Sequence, residues 1–291
     1  MGAAPVFVAP LPASLVLAAM PADPASADEL VRQAIARELA ASEDTSVKHQ
    51  FRSRKTNGRG GSQTKLYVET RDVMAGMVIA YDDHPLTEAQ MAGEQAHLQG
   101  LLDHPEMLRR KHSQENGDSD RSVRILKALP DAFLYQYDGT ETATNFGKAG
   151  DTLVRLKFRP NPNYSPPSRV EQVLTGMQGM LLIDREAHRL AKIDGTLFKD
   201  VTFGWGFLGR LEKGGHFAVE QSDVGDGSWE VTHMTLNIAG KILLFRSFNY
   251  VSDEVLSDFR QVPANTTFAQ GVELLRAEEL KIAQSNAEKN H

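Results

Sequence analysis

His84 (within Asp82-Asp83-His84), His97, His104 and His112 lie in one stretch of the sequence and carry the side chain a metal site would need. Helix-borne zinc sites space their histidines as His-x-x-x-His, so that both rings share a face. No pair here has that spacing, since His97 and His104 are seven residues apart, about two helical turns. They read as surface or helix-capping histidines. The chain has no cysteine, which removes disulfides, thiolate metal sites and cysteine nucleophiles together. No serine sits in a Gly-x-Ser-x-Gly elbow. Asp184, Asp194 and Asp200 fall where turns are expected, and Asp there does turn chemistry. Gly204, Gly206 and Gly209 alternate with bulky apolar residues and lack the lysine of a phosphate loop. The sequence therefore assigns no catalytic residue, no metal ligand and no cofactor, and the expectation is a protein that binds without reacting.

The residues best suited to binding are apolar. Phe203-Gly204-Trp205-Gly206-Phe207-Leu208 sets three aromatics among glycines that would let a ligand approach the backbone closely. It reads equally as a tight corner packed into the core. Trp229, Met234 and Leu236 join Phe203, Trp205, Phe207 and Leu208 as the candidate hydrophobic lip and cavity lining. Two basic rows, Arg155, Lys157, Arg159 and Arg109-Arg110-Lys111, could meet lipid headgroups or an acidic partner. The first reads as a solvated strand face, the second as cations suited to a helix C-terminus.

These residues must be held by strands. From Asp151 to about Val262 short alternating segments recur with turn residues between them. In the first, Val154, Leu156 and Phe158 alternate with Arg155, Lys157 and Arg159. Further strands are expected at Gly179 to Ile183, His188 to Ile193, Leu197 to Phe203, His216 to Gln221, Trp229 to Ile238 and Lys241 to Tyr250. Turns are expected at Asp184-Arg185, Asp194-Gly195, Gly225-Asp226-Gly227 and Ala239-Gly240. This is an antiparallel meander. In Trp229 to Ile238 the apolar phase switches, with Trp229 and Val231 on one side and Met234, Leu236 and Ile238 on the other, which marks a bulge. Ile242 to Phe245 is apolar on both phases. A curved sheet, an unclosed barrel around an apolar interior, follows.

Upstream, Asp28 to Ala41 has helical spacing at Leu30, Val31, Ala34, Ile35 and Leu39, with Glu38 mostly away from that face. A hairpin follows around Asn57 to Gly61, then a strand at Gly76 to Tyr81. Thr87-Glu88-Ala89-Gln90 is a capping box that opens a helical insertion over residues 86–129. Its two helices are expected to be parted by a polar loop at Asn116-Gly117-Asp118, the second ending at Pro130. Residues 28–275 form a single domain, and the polar residues 276–291 read as a frayed tail.

With 41% hydrophobic and 24% charged residues among 291, the composition is that of a folded soluble protein. A net charge of −6 speaks against a general nucleic-acid binder. Residues 1–27 read as an export signal ending in Ala25-Ser26-Ala27, or else as a disordered Ala/Pro-rich leader, because no basic residue precedes Arg32. No other stretch nears the ~18 apolar residues of a spanning helix.

Gly179-Met180-Leu181-Leu182-Ile183-Asp184-Arg185-Glu186-Ala187-His188-Arg189-Leu190-Ala191-Lys192-Ile193 resembles the paired-strand signature of the lipoprotein-sorting (LolA-like) and RseB-like proteins of the bacterial periplasm. Phe158 to Asn163 and Phe203 to Leu211 resemble segments of a group of exported bacterial proteins of unassigned activity. The resemblance implies a mainly β (α+β) half-barrel wrapped over helices, in the periplasm or secreted, whose interior takes acyl chains or hydrophobic peptide. The expected partner is a hydrophobic ligand or lipoprotein, with peripheral contact to membrane or envelope proteins. Alternatives are an interaction or sensor module with a filled barrel and an exposed apolar patch on residues 86–129, or an enzyme of unknown type. The long insertion departs from the simplest carriers.

Overall fold

The computed structural model describes residues 24–204, 208–242 and 246–289. In chain order its helices are α1 (Pro24–Glu43), α2 (Glu88–Asp103), α3 (Pro105–Ala132), α4 (Arg169–Gln172) and α5 (Phe268–Lys289). Strands β1 (Lys48–Asn57), β2 (Ser62–Val68), β3 (Ala75–Tyr81) and β4 (His84–Pro85) precede the insertion. After it come β5 (Phe133–Thr142), β6 (Thr152–Pro160), β7 (Met177–Asp184), β8 (Leu190–Leu197), β9 (Val201–Phe203), β10 (Gly209–Leu211), β11 (His216–Asp223), β12 (Trp229–Ile242) and β13 (Arg246–Val262). One antiparallel sheet takes them in the order β4-β3-β2-β1-β13-β12-β11-β8-β7-β6-β5, with β10 and β9 added beside the end of β12. The chain thus returns at β13 to pair with β1, and β4 and β5 are left as unjoined edges. The curved, unclosed sheet with helices is the fold class expected from the alternation.

Cross-strand partners share a face, so register defines the two surfaces. One rung runs Leu156, Leu181, Ile193, Val219, Met234, Glu254, Lys55. We call the face bearing it the inner face. Over β5 to β8 it is buried under Val31, Ala34 and Ile35 of α1 and Leu129 and Ala132 of α3, and this is the larger core. At the other end of the sheet burial changes sides. Leu66, Val68 and Met77 alternate with inner-face residues and pack on the outer face, against Leu98 and Leu101 of α2 and Phe268, Val272 and Leu275 of α5. In the rung itself the apolar run gives way to Glu254 and Lys55 at the same crossing.

Helix α1 is fixed by more than its apolar stripe. Glu38, expected on the solvated side, is buried and accepts from Arg189 Nε at 2.9 Å and Nη2 at 3.0 Å, from the Leu190 N–H at 2.8 Å and from Gln221 at 3.3 Å. The expected leader boundary after Ala27 falls inside α1, where Ala27 is itself core; residues 1–23 lie outside the described residues.

Several expectations are corrected. Asn116-Gly117-Asp118 is no loop, because α3 runs unbroken through it and two residues beyond Pro130. Arg109-Arg110-Lys111 consequently lies in the first half of a helix. Ala239-Gly240 and Asp194-Gly195 are continuous strand, paired with Phe248 and with Phe217 and Gly179 respectively. The strand β5 has no counterpart among those expected. The residues from Arg276 to Lys289 belong to α5: Arg276 donates to Gln95 at 2.8 Å, and buried Glu278 takes both Arg260 nitrogens, the shorter bond being 2.7 Å.

Candidate ligand-binding face

Met234 and Leu236 lie on the inner face opposite Val219 and Phe217. The phase switch is a real bulge, with Thr232 left unmatched between the pairs Gln221–Val231 and Glu220–His233. By register the extra residue returns Val231 to the face of Met234 and Leu236, whereas Trp229 packs with Leu153 and Leu182 of the outer face. Ile238 pairs with Tyr250 and Gly240 with Phe248, which extends the row onto β13. These side chains are half-buried, and Tyr250 is 44% exposed, whereas their equivalents on β6 to β8 are almost wholly covered.

The difference is the roof. Among the described residues no helix lies along β11, β12 or β13, whose helix contacts are local ones such as Gln221 to Glu38 of α1 and Arg260 to Glu278 of α5. The helix α3, about 42 Å long at 1.5 Å per residue, has its first half beside β2 and β3, where Glu115 accepts from the Met74 N–H at 3.1 Å and His112 Nδ1 lies 2.6 Å from the Asp72 carbonyl. Its far end is in the α1 core. Between them residues 116–122 are almost all exposed, so α3 is a strap supported at its two ends and bare in its middle. The outer face there is polar: Lys192 of β8, Glu220, His233 and Asp253 form a chain, with the Lys192–Glu220 ion pair at 2.8 Å and His233 Nε2 2.9 Å from Asp253.

The other candidate residues are not brought to one place. Trp229 packs with Ala143, Leu153, Leu182, Ala191 and Phe146 in a small separate cluster, with the Arg189 guanidinium 5.6 Å from its ring centre. Phe203 leans on the larger core. Leu208 is 40% exposed beside Ile242, itself 47% exposed, at the end of the β12–β13 hairpin. Gly204 has φ +57° beneath Leu208, a conformation a side chain would strain. Trp205 and Phe207, and Leu243 to Phe245, lie outside the described residues.

His84, His97, His104 and His112 are dispersed. His84 Nδ1 lies 2.7 Å from the Asp82 carbonyl, His104 sits between α2 and α3, and His97 lines a groove. Asp184 does turn chemistry, accepting from the Glu186 and Ala187 N–H groups at 3.0 and 2.8 Å. Arg155 and Lys157 pair with Asp138 and Glu141 on β5. The titratable cluster that sequence missed surrounds His49, which is only 1% exposed. Its Nε2 lies 2.9 Å from Asp226, and its Nδ1 lies 3.1 Å from Glu230 and 4.0 Å from Glu69. Burial first, then the Glu69 charge, pushes the Glu230 carboxyl up to about 7. The His49 hydrogen bond holds Asp226 well below the usual carboxylate range. Among the described residues no such cluster is arranged to hold a metal ion. Only the placing of β1 beside the β11–β12 turn unites these residues, and no local spacing announces it.

No protein-family profile matches the chain, and no curated protein matches it in sequence. In structure it is similar to an outer membrane lipoprotein-sorting type domain from Vibrio parahaemolyticus, at 10% identity and TM-score 0.29, covering 82% of this chain and 93% of that one. It is also similar to a DUF1329 family protein from Desulfovibrio piger, at 9% identity and TM-score 0.27, covering 80% and 92%. Among the described residues no helix is long and apolar enough to cross a membrane.

Proposed function

We propose that the protein is a non-catalytic carrier that holds a hydrophobic ligand, of the acyl-chain class, against the inner face of β11 to β13 beneath the α3 strap. One observation supports this above the others: the row Phe217, Val219, Val231, Met234, Leu236 and Ile238 continues the apolar face of the larger core but lacks the helix that buries it there. A contiguous apolar row left without a covering helix marks binding. Leu208 and Ile242 would form part of the entrance, as the apolar lip suggested by Phe203 to Leu208 requires. The expected compartment is the periplasm or the cell exterior, with lipid or a lipoprotein as cargo.

The interaction-module reading needed an apolar patch on residues 86–129, and there Met107 is the exposed large hydrophobic side chain among the described residues. Titrating delipidated protein with a fluorescent long-chain fatty acid tests the carrier reading. Saturable binding that weakens at least tenfold in Met234→Glu and Leu236→Glu supports it; no binding, or binding indifferent to both changes, contradicts it.

A further inference from the structure

Where the first half of α3 passes β2 and β3, a groove of about 440 Å³ opens. Tyr67, Gly76, Leu101 and Met107 give it apolar walls, and Lys65, Arg110, Lys111 and His97 supply its titratable groups. Among the described residues no carboxylate lines it, although the chain as a whole carries a net charge of −6. Lys111 is steadied by Glu115, one turn along α3, at 2.7 Å. Lys65 and Arg110, on opposite walls, pair with no carboxylate among the described residues.

We propose that this groove receives the anionic headgroup, carboxylate or phosphate, of an amphiphile whose apolar tail lies on the inner face. The inference rests on the carrier reading and adds where the polar end goes. Lys65 and Tyr67 both belong to the inner face, next to Ser53 and Phe51 on β1. The Tyr67 ring lies 5.3 Å from that of Phe51, which stacks on Phe259 at 5.2 Å, so an aromatic path leads from the groove toward the open strands. Gly76 holds this floor open, since a Cβ there would come within 2.7 Å of the Tyr67 ring and displace it. Burial pushes the Tyr67 phenol up, so it stays a neutral donor beside the cations. A flexible ammonium and a planar guanidinium facing each other suit an oxyanion with several acceptors, and the groove is the size of a small-ligand site.

The test compares two probes of equal chain length, myristate and myristyl alcohol, on the full chain and on the double variant Lys65→Gln/Arg110→Gln, with inorganic phosphate as competitor. Both substituted side chains reach solvent, and an unchanged melting temperature verifies the fold. The expected result is that myristate binds at least tenfold more tightly than the alcohol, that added salt erodes the difference, and that the variant loses the preference while binding the alcohol as before. Equal binding of the two probes, or a preference that survives in the variant, overturns this inference and leaves the carrier reading standing. Failure of both probes to bind overturns both. Phosphate that displaces myristate at comparable concentration shows a free-anion site, and contradicts the assignment to an amphiphile.

Discussion

Glu38 on α1 and Arg189, the residue before β8, form a bidentate ion pair with bonds of 2.9 and 3.0 Å, their side chains only 7% and 14% exposed. It ties the N-terminal helix to the middle of the sheet, alongside the Glu38 bonds to the Leu190 N–H and Gln221. Removing one partner would strand the other charge. Glu38→Ala is expected to lower unfolding free energy by roughly 3 kcal/mol, measured by urea denaturation. The double change Glu38→Met/Arg189→Met should recover much of that loss.

The Glu230 carboxyl gives stability a distinctive pH dependence. Its folded-state pKa, about 7, lies above the ordinary 4.5, so the folded protein binds the proton more tightly than the unfolded chain. Its contribution is therefore greatest below about pH 4.5 and is lost as pH rises toward 7. Asp226 acts in the opposite sense: held low by His49, its contribution is present above its unfolded value of 3.8 and is lost in stronger acid. Glu230→Gln should flatten the fall in melting temperature between pH 5 and 7 and raise it at pH 8. A wild-type curve that rises through this window would contradict the assignment.

How far such features can be read from sequence depends on whether the signal is local. Val154, Leu156 and Phe158 announced their face because burial on one side imposes a period of two, and they occupy it. The switch between Val231 and Met234 announced the bulge, but its sense needed the partner strand, since only β11 shows which residue goes unmatched. Asn116-Gly117-Asp118 favours a loop by propensity; its helical state is imposed by supports at both ends of α3. The helix α5 had a readable signal, for Thr267 and Gln270 form the same box as Thr87 and Gln90, and Phe268, Val272 and Leu275 follow at helical spacing. The polar residues after Leu275 obscured it. His49 and the Lys65–Arg110 groove join elements distant in sequence, and no spacing encodes them.

The α5 packing makes the C-terminus structural. Leu275 is fully buried between β2, β3 and α2, so Leu275→Ala should cost about 2–5 kcal/mol. Deleting residues 276–291 should also destabilise, through loss of the Arg260–Glu278 and Arg276–Gln95 contacts. Stability unchanged after the deletion would restore the frayed-tail reading.

Gly179 opens the strand pair that carries the lipoprotein-sorting resemblance, and it faces Gly195 across β7 and β8. A Cβ on it would stand 1.9 Å from the Asp194 carbonyl oxygen, which is backbone and cannot swing aside. Gly179→Ala is expected to cost about 3 kcal/mol, at the upper end for overpacking. Gly93→Ala, in open space on α2, should be neutral or stabilising by comparison.

On the carrier reading, the inner face of β12 holds the ligand while its outer face does not. Because the chain has no cysteine, a single introduced thiol can carry an environment-sensitive fluorophore. Met234→Cys places it on the inner face opposite Val219, and Thr235→Cys one residue along places it on the outer face opposite Ala218. On titration of delipidated protein with myristate, the label at 234 should shift to the blue in a saturable manner and the label at 235 should not respond. Equal response at both positions, or none at either, would contradict the account.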